Sequence, residues 1–466
     1  MASKSKKIIA LLLSSMMAAT ALAGCNSGDP TANVKTSSGS GATSGSTPAE
    51  TSTIDLKDSG TVSQIKELMK EEAKDGKITL KVWCSSDDGK FEKSRAAEFE
   101  KMFSDSGYEL KVDVRSTIGE GDAGGKIVDD PENGADVFNF ADDQLSSLVD
   151  AGAIAKVPSF FKANVVAENS KESIDVCTVD DTVYAYPKTS DNGYFLYYDK
   201  RDLTEDDVKS FDTIIAKSKE KGKVAFMNFG DAWYATGFFF TAGCEISYKD
   251  GKQVANLNTD NGVKAIQAMC EIAKHADDGF QGSAGTAGNN AAVVQGFKDG
   301  KFSAAVIGTW VGPDIKAAIG AENLGAAKLP TVLMDGKQKQ LDSFGGYKLI
   351  GVNKFTKFSF SANVLAYYLG AEESQVERYK TRGLLPTNTK ASEAEIDGQK
   401  VKDDPAFKAI EEQAKDGHAH PQGSSVSGKY WAMGVGTLGG DIVVDKGKWN
   451  EAKIKQRLAD VVANLK

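Results

Sequence analysis

Between residues 77 and 150 the sequence changes its period again and again. "KITLKVWCS" (77–85), "YELKVDVRST" (108–117) and "ADVFNF" (135–140) are short β-rich runs. Between and after them, "KFEKSRAAEFEKMFSDSG" (90–107) and "DQLSSLVDAG" (143–152) place apolar residues three and four apart and end on glycine. Strand text alternating with helix text predicts an α/β fold with a mainly parallel sheet. A second series of the same kind runs from "TIIAKSKEKG" (213–222) to "FSAAVIGTW" (302–310). A third, shorter one starts at "DSFGGYKLIGV" (342–352) and ends at "RGLLPTNTKA" (382–391). The tail, 400–466, reads as helical. A chain of 466 residues is long enough for two or three such bodies.

The N-terminus has a different character. A basic "MASKSKK" precedes the apolar "IIALLLSSMMAATALA" (8–23), which is shorter than the ~20 residues a spanning helix needs. It reads as the apolar core of a secretory signal. The run closes on "LAGC", which resembles the bacterial lipobox: cleavage before Cys25 and acylation of that residue, more than one acyl chain being needed for stable anchorage. Residues 26–53, mostly Ser, Thr and Gly, form a tether with a reach of about 30 Å. The expected location is outside the cytoplasm, on the bacterial cell membrane. The net charge of −9 and the lack of a basic, aromatic-interleaved patch argue against nucleic acid as a partner. The other cysteines, Cys84, Cys177, Cys244 and Cys270, allow three disulfide pairings, while their apolar neighbours favour buried thiols.

Several motifs carry no chemistry. "GEGDAG" (Gly119, Gly121, Gly124) fits G-x-G-x-x-G but follows the second strand rather than opening a first βα unit, and "DDPENG" soon interrupts any long helix. A flexible loop is the expectation, and no cofactor. His418 and His420 have no further ligand at metal-site spacing; a solvated loop is expected there, and no metal. No nucleophile elbow and no spaced carboxylate pair marks a catalytic centre.

What remains is a set of aromatic residues beside small or acidic ones at strand and helix ends: Phe140, Trp233, Tyr234, Trp310, Tyr430 and Trp431. A pyranose stacks its C–H face on an aromatic ring and offers its hydroxyl rim to carboxylates and amides. Asp87, Asp88, Asp143, Asp191 and Asp231 are placed to supply that rim. Trp83 and Trp449 are assigned to the core.

In order along the chain, "KVWCSSDDGKFEKSRAAEFEK" (81–101), "ADVFNFADDQLSSLVDAGAI" (135–154), "VYAYPKTSDNGYFLYYDKRDL" (183–203), "VQGFKDGKFSAAVIGTW" (294–310) and "RGLLPTNTKA" resemble the extracellular solute-binding proteins of ABC transporters, family 1, the maltose/maltodextrin-binding branch above all. The resemblance spans about residues 77–466. It implies a two-lobed, periplasmic-binding-protein-like α/β fold of type II with a multi-strand hinge. Lobe I would comprise 57–190 and 344–386, and lobe II 191–343 and 387–466, after a signal peptide (1–24) and the lipidated, tethered stretch 25–56. It implies a ligand site made of Ser85, Asp87, Asp88, Phe140, Asp143, Asp191, Asp231, Trp233, Tyr234, Trp310, Tyr430 and Trp431. Asp88 stands where the family has a lysine, Gln144 where it has an arginine, and Gly312 where it has a second tryptophan. The aromatic set is kept and the charged set is altered. The implied activity is capture of maltose or malto-oligosaccharides, as a monomer, for delivery to a membrane permease served by a separate cytoplasmic ATPase. The alternatives are a surface glycoside hydrolase, or a binder of another sugar or a non-sugar solute.

Overall fold

The computed structural model describes residues 54–249, 251–285 and 289–465. The signal segment, Cys25 and the tether up to residue 53 lie outside the described residues. Ten strands position the site: β1 (Lys77–Trp83), β2 (Glu109–Arg115), β3 (Val137–Ala141), β4 (Ala185–Thr189), β5 (Phe195–Asp199), β6 (Val224–Met227), β7 (Phe280–Gly282), β8 (Phe302–Ile307), β9 (Leu324–Ala327) and β10 (Lys348–Val352).

They form two five-stranded sheets, in the orders β2-β1-β3-β10-β4 and β7-β6-β8-β5-β9. In the first, β1 is parallel to β2 and β3, while β10 runs antiparallel to β3 and β4. The second repeats the pattern: β6 is parallel to β7 and β8, while β5 is antiparallel to β8 and β9. Each sheet is therefore parallel except for one strand, the one the chain enters directly from the other sheet. The sequence reason is visible in the burial. β3, β4, β5, β6 and β8 are buried at every position, as expected of strands covered by helices on both faces. Two apolar clusters flank the second sheet. Leu196, Tyr198 and Met227 face one, and Phe195, Tyr197 and Phe226 the other.

The chain passes between the two sheets after β4, before β10, and between the helices Glu372–Arg382 and Pro405–Lys415. These passages hold one another. Asn192 N–H donates to Gly346 O at 3.2 Å, and Ser190 N–H to Leu385 O at 2.9 Å. The strand Ser343–Gly345 pairs in parallel with Ala419–Pro421. That second strand corrects two expectations. The tail is not wholly helical, and His418 and His420 are not on a solvated loop. Both are half-buried and close on the Asp342 carboxylate, at 2.6 and 2.9 Å, and His420 stacks on Phe240.

Trp449 is half-buried rather than core. It caps the second body's edge under the Lys453 ammonium, 4.6 Å from its ring, and donates to Asp445. Trp83 is likewise only partly buried. Cys84, Cys177, Cys244 and Cys270 are all free and buried. Burial pushes the thiols of Cys84 and Cys270 up to about 12 and that of Cys244 up to about 11, so none of these three is a reactive thiolate at neutral pH. Among the described residues, no helix is long and apolar enough to cross a membrane.

Candidate functional site: a cleft between two sheets

In open α/β sheets, ligands bind beyond the carboxyl ends of the parallel strands. Both sheets here point those ends at one cleft of about 740 Å³. From the first sheet come Ser85, Asp87 and Asp88 (after β1), Glu120 and Asp122 (after β2), Asp143 (after β3) and Lys188 (on β4). From the second come Asp231 and Trp233 (after β6), Asn290 (after β7) and Trp310 (after β8). Gln422 and Trp431 from the tail complete the wall.

Nine of the twelve expected site residues line this cleft: Ser85, Asp87, Asp88, Asp143, Asp191, Asp231, Trp233, Trp310 and Trp431. Three do not. Phe140 is fully buried in β3, in ring contact with Phe138 at 5.3 Å. Its ring packs in the core and does not line the cleft, which contradicts the stacking role assigned to it. Tyr430 is also fully buried, its hydroxyl sharing a 2.7 Å hydrogen bond with that of Thr236. Its neighbour Trp431 is the ring that faces the cleft. Tyr234 sits behind Trp233, at 5.1 Å between ring centroids, and lines a smaller cavity.

Two of the nine, the carboxylates Asp88 and Asp191, are committed to the protein. Asp88 is 2% exposed, accepting from Lys188 Nζ at 2.6 Å and from Arg382 Nε at 3.2 Å. Burial pushes its carboxyl up, but Lys188, Arg378 and Arg382 more than reverse this and hold it well below the usual carboxylate range. Lys188, 1% exposed, also meets Glu120 at 2.9 Å and Glu92 at 3.8 Å. Burial alone would lower its pKa; the carboxylates hold it above the ordinary lysine value. Asp191 ties the hinge: one of its oxygens accepts from Thr309 Oγ1 and from the Leu385 N–H at 2.9 Å. Its pKa is raised by burial, and these bonds counter only part of the rise.

The carboxylates left for a ligand are fewer. Asp231 caps the helix Ala232–Ala242 by accepting from Trp233 N–H at 2.9 Å, which occupies one oxygen. Asp143 accepts from Trp431 Nε1 at 3.1 Å, a bond from one wall of the cleft to the other, and its second oxygen has no partner. Burial raises both pKa values. Asp87 is exposed. Facing them, Trp233 and Trp310 touch at 5.8 Å between centroids and 42° between planes. Trp233 Nε1 donates to Gln422 Oε1 at 2.9 Å, and the same oxygen accepts from Asn192 at 3.3 Å.

Sequence reasoning missed Glu120, Lys188, Arg382, Asn290 and Gln422. Two of them had a signal. Glu120 lies inside "GEGDAG", whose Gly121 and Asp122 also line the cleft, and Lys188 is one cation within the apolar run "VYAYPKT". Arg382, Asn290 and Gln422 had none.

Two like-ordered α/β lobes, joined by crossing strands and opening on a shared aromatic cleft, define a two-lobed solute-binding protein. The chain belongs to the bacterial extracellular solute-binding protein family, whose model matches residues 94–409. It is 27% identical over 319 residues to the galactooligosaccharide-binding protein of Bacillus subtilis (strain 168), covering 66% of this chain and 72% of the relative. Among solved structures, one determined with acarbose matches with a TM-score of 0.71 and 31% identity, covering 84% of this chain and 98% of the other. The maltodextrin-binding protein of L. casei BL23, without ligand, matches with a TM-score of 0.65 and 26% identity, covering 84% and 99%.

Proposed function

We propose that this protein captures malto-oligosaccharides between its lobes and delivers them to a membrane permease of an ABC transporter. The observation that carries the reading is the pairing of three half-buried tryptophans, Trp233, Trp310 and Trp431, with the carboxylates Asp87, Asp143 and Asp231 around one cleft. Rings take the C–H faces of pyranoses and the carboxylates take hydroxyls. A micromolar site is worth about −8 kcal/mol, and three stacked rings supply about 0.5–1.5 kcal/mol each beyond their buried area. The names of the relatives, a galactooligosaccharide binder and a maltodextrin binder, support an oligosaccharide and leave maltose-type and galactose-type chains to be separated by experiment.

In this reading lobe I comprises 57–190 and 344–386, lobe II comprises 191–343 and 387–466, and the strand passages between them are the hinge on which the lobes close. Cys25 carries the acyl anchor, and Cys25→Ser releases the protein into the medium. No catalysis is proposed. Titration of intrinsic tryptophan fluorescence with maltose, maltotriose, longer maltodextrins and galacto-oligosaccharides tests the ligand class. Saturation by galacto-oligosaccharides alone would move the ligand to galactosides. Shortened products after incubation with maltodextrin would make the protein a hydrolase.

A further inference from the structure

Behind Trp233 and Trp310 lies a second cavity, of about 200 Å³. It shares Asp231, Trp233, Asn290 and Trp310 with the main cleft and alone reaches Phe226 on β6 and Ile307 on β8, which puts the two tryptophans between the cleft and these strand residues. At about 30 Å³ per water this is room for six or seven waters, the bulk of one monosaccharide unit and too little for two.

The chamber's polar lining is rich in unused donors. Asn228 accepts from the Gly230 N–H at 3.1 Å, and Asn290 accepts from Trp310 Nε1 at 2.9 Å. Each carbonyl oxygen is thereby committed, which turns the amide NH2 group the other way. Asn289, which lines this chamber and not the cleft, has a buried Nδ2 with no partner. Buried donors without acceptors cost free energy. Three amides and the Asp231 carboxylate set among the rings of Trp233, Trp310, Tyr234 and Phe226 are the lining a neutral, hydroxylated ring takes.

We propose that this chamber is a subsite for a single sugar unit that leaves the line of the main chain, the branch of a 1,6-linked gluco-oligosaccharide. The wall is the argument. A linear chain lying along the cleft stays on one face of Trp233 and Trp310, whereas a unit in the chamber sits on the other side of the same pair. Beside the tryptophans the two spaces share Asp231 and Asn290. This inference rests on the malto-oligosaccharide reading.

The test is calorimetric titration of the full chain with two tetrasaccharides of equal size, maltotetraose and maltotriose bearing one 1,6-linked glucose branch. It is run on the wild type, Asn289→Ala and Asn289→Phe. The expected result is that Asn289→Phe, which plugs the chamber, weakens the branched ligand at least tenfold and leaves maltotetraose within twofold. Asn289→Ala should give a smaller loss of the same kind, and unchanged maltotetraose binding reports an intact fold. Equal affinities for the branched ligand in all three proteins, or equal losses for both ligands, would overturn the subsite while leaving the cleft reading in place. Absence of binding by both tetrasaccharides to the wild type would overturn the cleft reading and the subsite with it.

Discussion

The first and second sheets share strand order and strand direction, yet their carboxyl-end loops bring different chemistry to the cleft. On the first sheet they carry Asp87, Asp88, Glu120 and Asp122, with Lys188 on β4. On the second they carry Trp233 and Trp310, backed by Trp431 from the tail. The difference goes beyond polarity. Most of the first wall's charges are spent on one another, with Lys188 at their centre and almost no exposed atom among Lys188, Asp88 and Glu92. The second wall's indoles are partly exposed, and Trp233 and Trp310 touch only at a tilt. One wall spends most of its charge on internal ion pairs and leaves Asp87 and Asp143 to the cleft; the other presents partly exposed indoles. A fold repeated on both sides of a cleft does not require repeated chemistry, because the loops that carry function are free of the packing that shapes the strands.

The sharpest way to break this contrast is Lys188→Met. It leaves Glu120 without its cation and Asp88 with Arg382 alone, and removing one partner of a buried pair costs about 3–5 kcal/mol. Denaturant unfolding should register that loss, whereas Trp310→Ala, on the other wall, should leave the unfolding midpoint close to wild type. A midpoint unchanged in Lys188→Met would mean that water, rather than the lysine, compensates the first wall.

Fold stability is predicted to respond to pH through Asp142, the buried neighbour of Asp143. Asp142 is fully enclosed beside Asp143; burial first, and the neighbouring carboxylate second, push it up to about 7, against partial relief from Lys348 and the Tyr347 N–H. A folded-state pKa raised above the unfolded value of roughly 4 contributes stability that is complete below that value and lost as pH rises through about 7. The loss is at most about 1.4 kcal/mol per pH unit across that window. Unfolding measured from pH 4.5 to pH 8 should show this decline, and Asp142→Asn should flatten it and be the more stable form at pH 8. A parallel decline in the variant would assign the slope to other groups.

On the second wall, Trp310→Ala should weaken oligosaccharide binding ten- to hundredfold, about 1.4–2.8 kcal/mol, with little change in fold stability. Fluorescence or calorimetric titration reads this directly. An unchanged affinity would remove the indole from the site.

How far the sequence showed this contrast depends on where each side chain's role is decided. The alternating periods of 77–150 and 213–310 foretold the sheets because burial on both faces leaves its mark on every residue of a strand. The place of Trp233, Trp310 and Asp143 on the cleft was legible because they sit just past strand ends, in the first helical turns that follow, where an aromatic or an acid has no packing reason to be. Phe140 and Tyr430 were misread for the converse reason. The text beside a strand end looks alike whether the ring turns into the core or into the cleft, and one residue decides it, as Trp431 next to Tyr430 shows. The pairing of Lys188 with Asp88 and Glu120 joins residues 100 and 68 positions apart, and nothing local announces it. The role of Asp342 between His418 and His420 likewise appears only once the hinge strands are side by side.

The finest test concerns the bond that crosses from wall to wall, Trp431 Nε1 to Asp143 Oδ2 at 3.1 Å. Trp431→Phe keeps an aromatic face and removes the donor, leaving a carboxylate whose other oxygen already lacks a partner. A net hydrogen bond is worth about 0.5–1.5 kcal/mol, so the arrangement with the walls together should lose roughly two- to tenfold in population. Ligand affinity should fall by the same factor, because a ligand held by both walls must first be met by both. Small-angle scattering of the unliganded variant should show a larger radius of gyration than the wild type. An affinity that rises instead would mean that a sugar hydroxyl must displace Trp431 from Asp143 before it can bind. The two walls would then compete with the ligand rather than close on it.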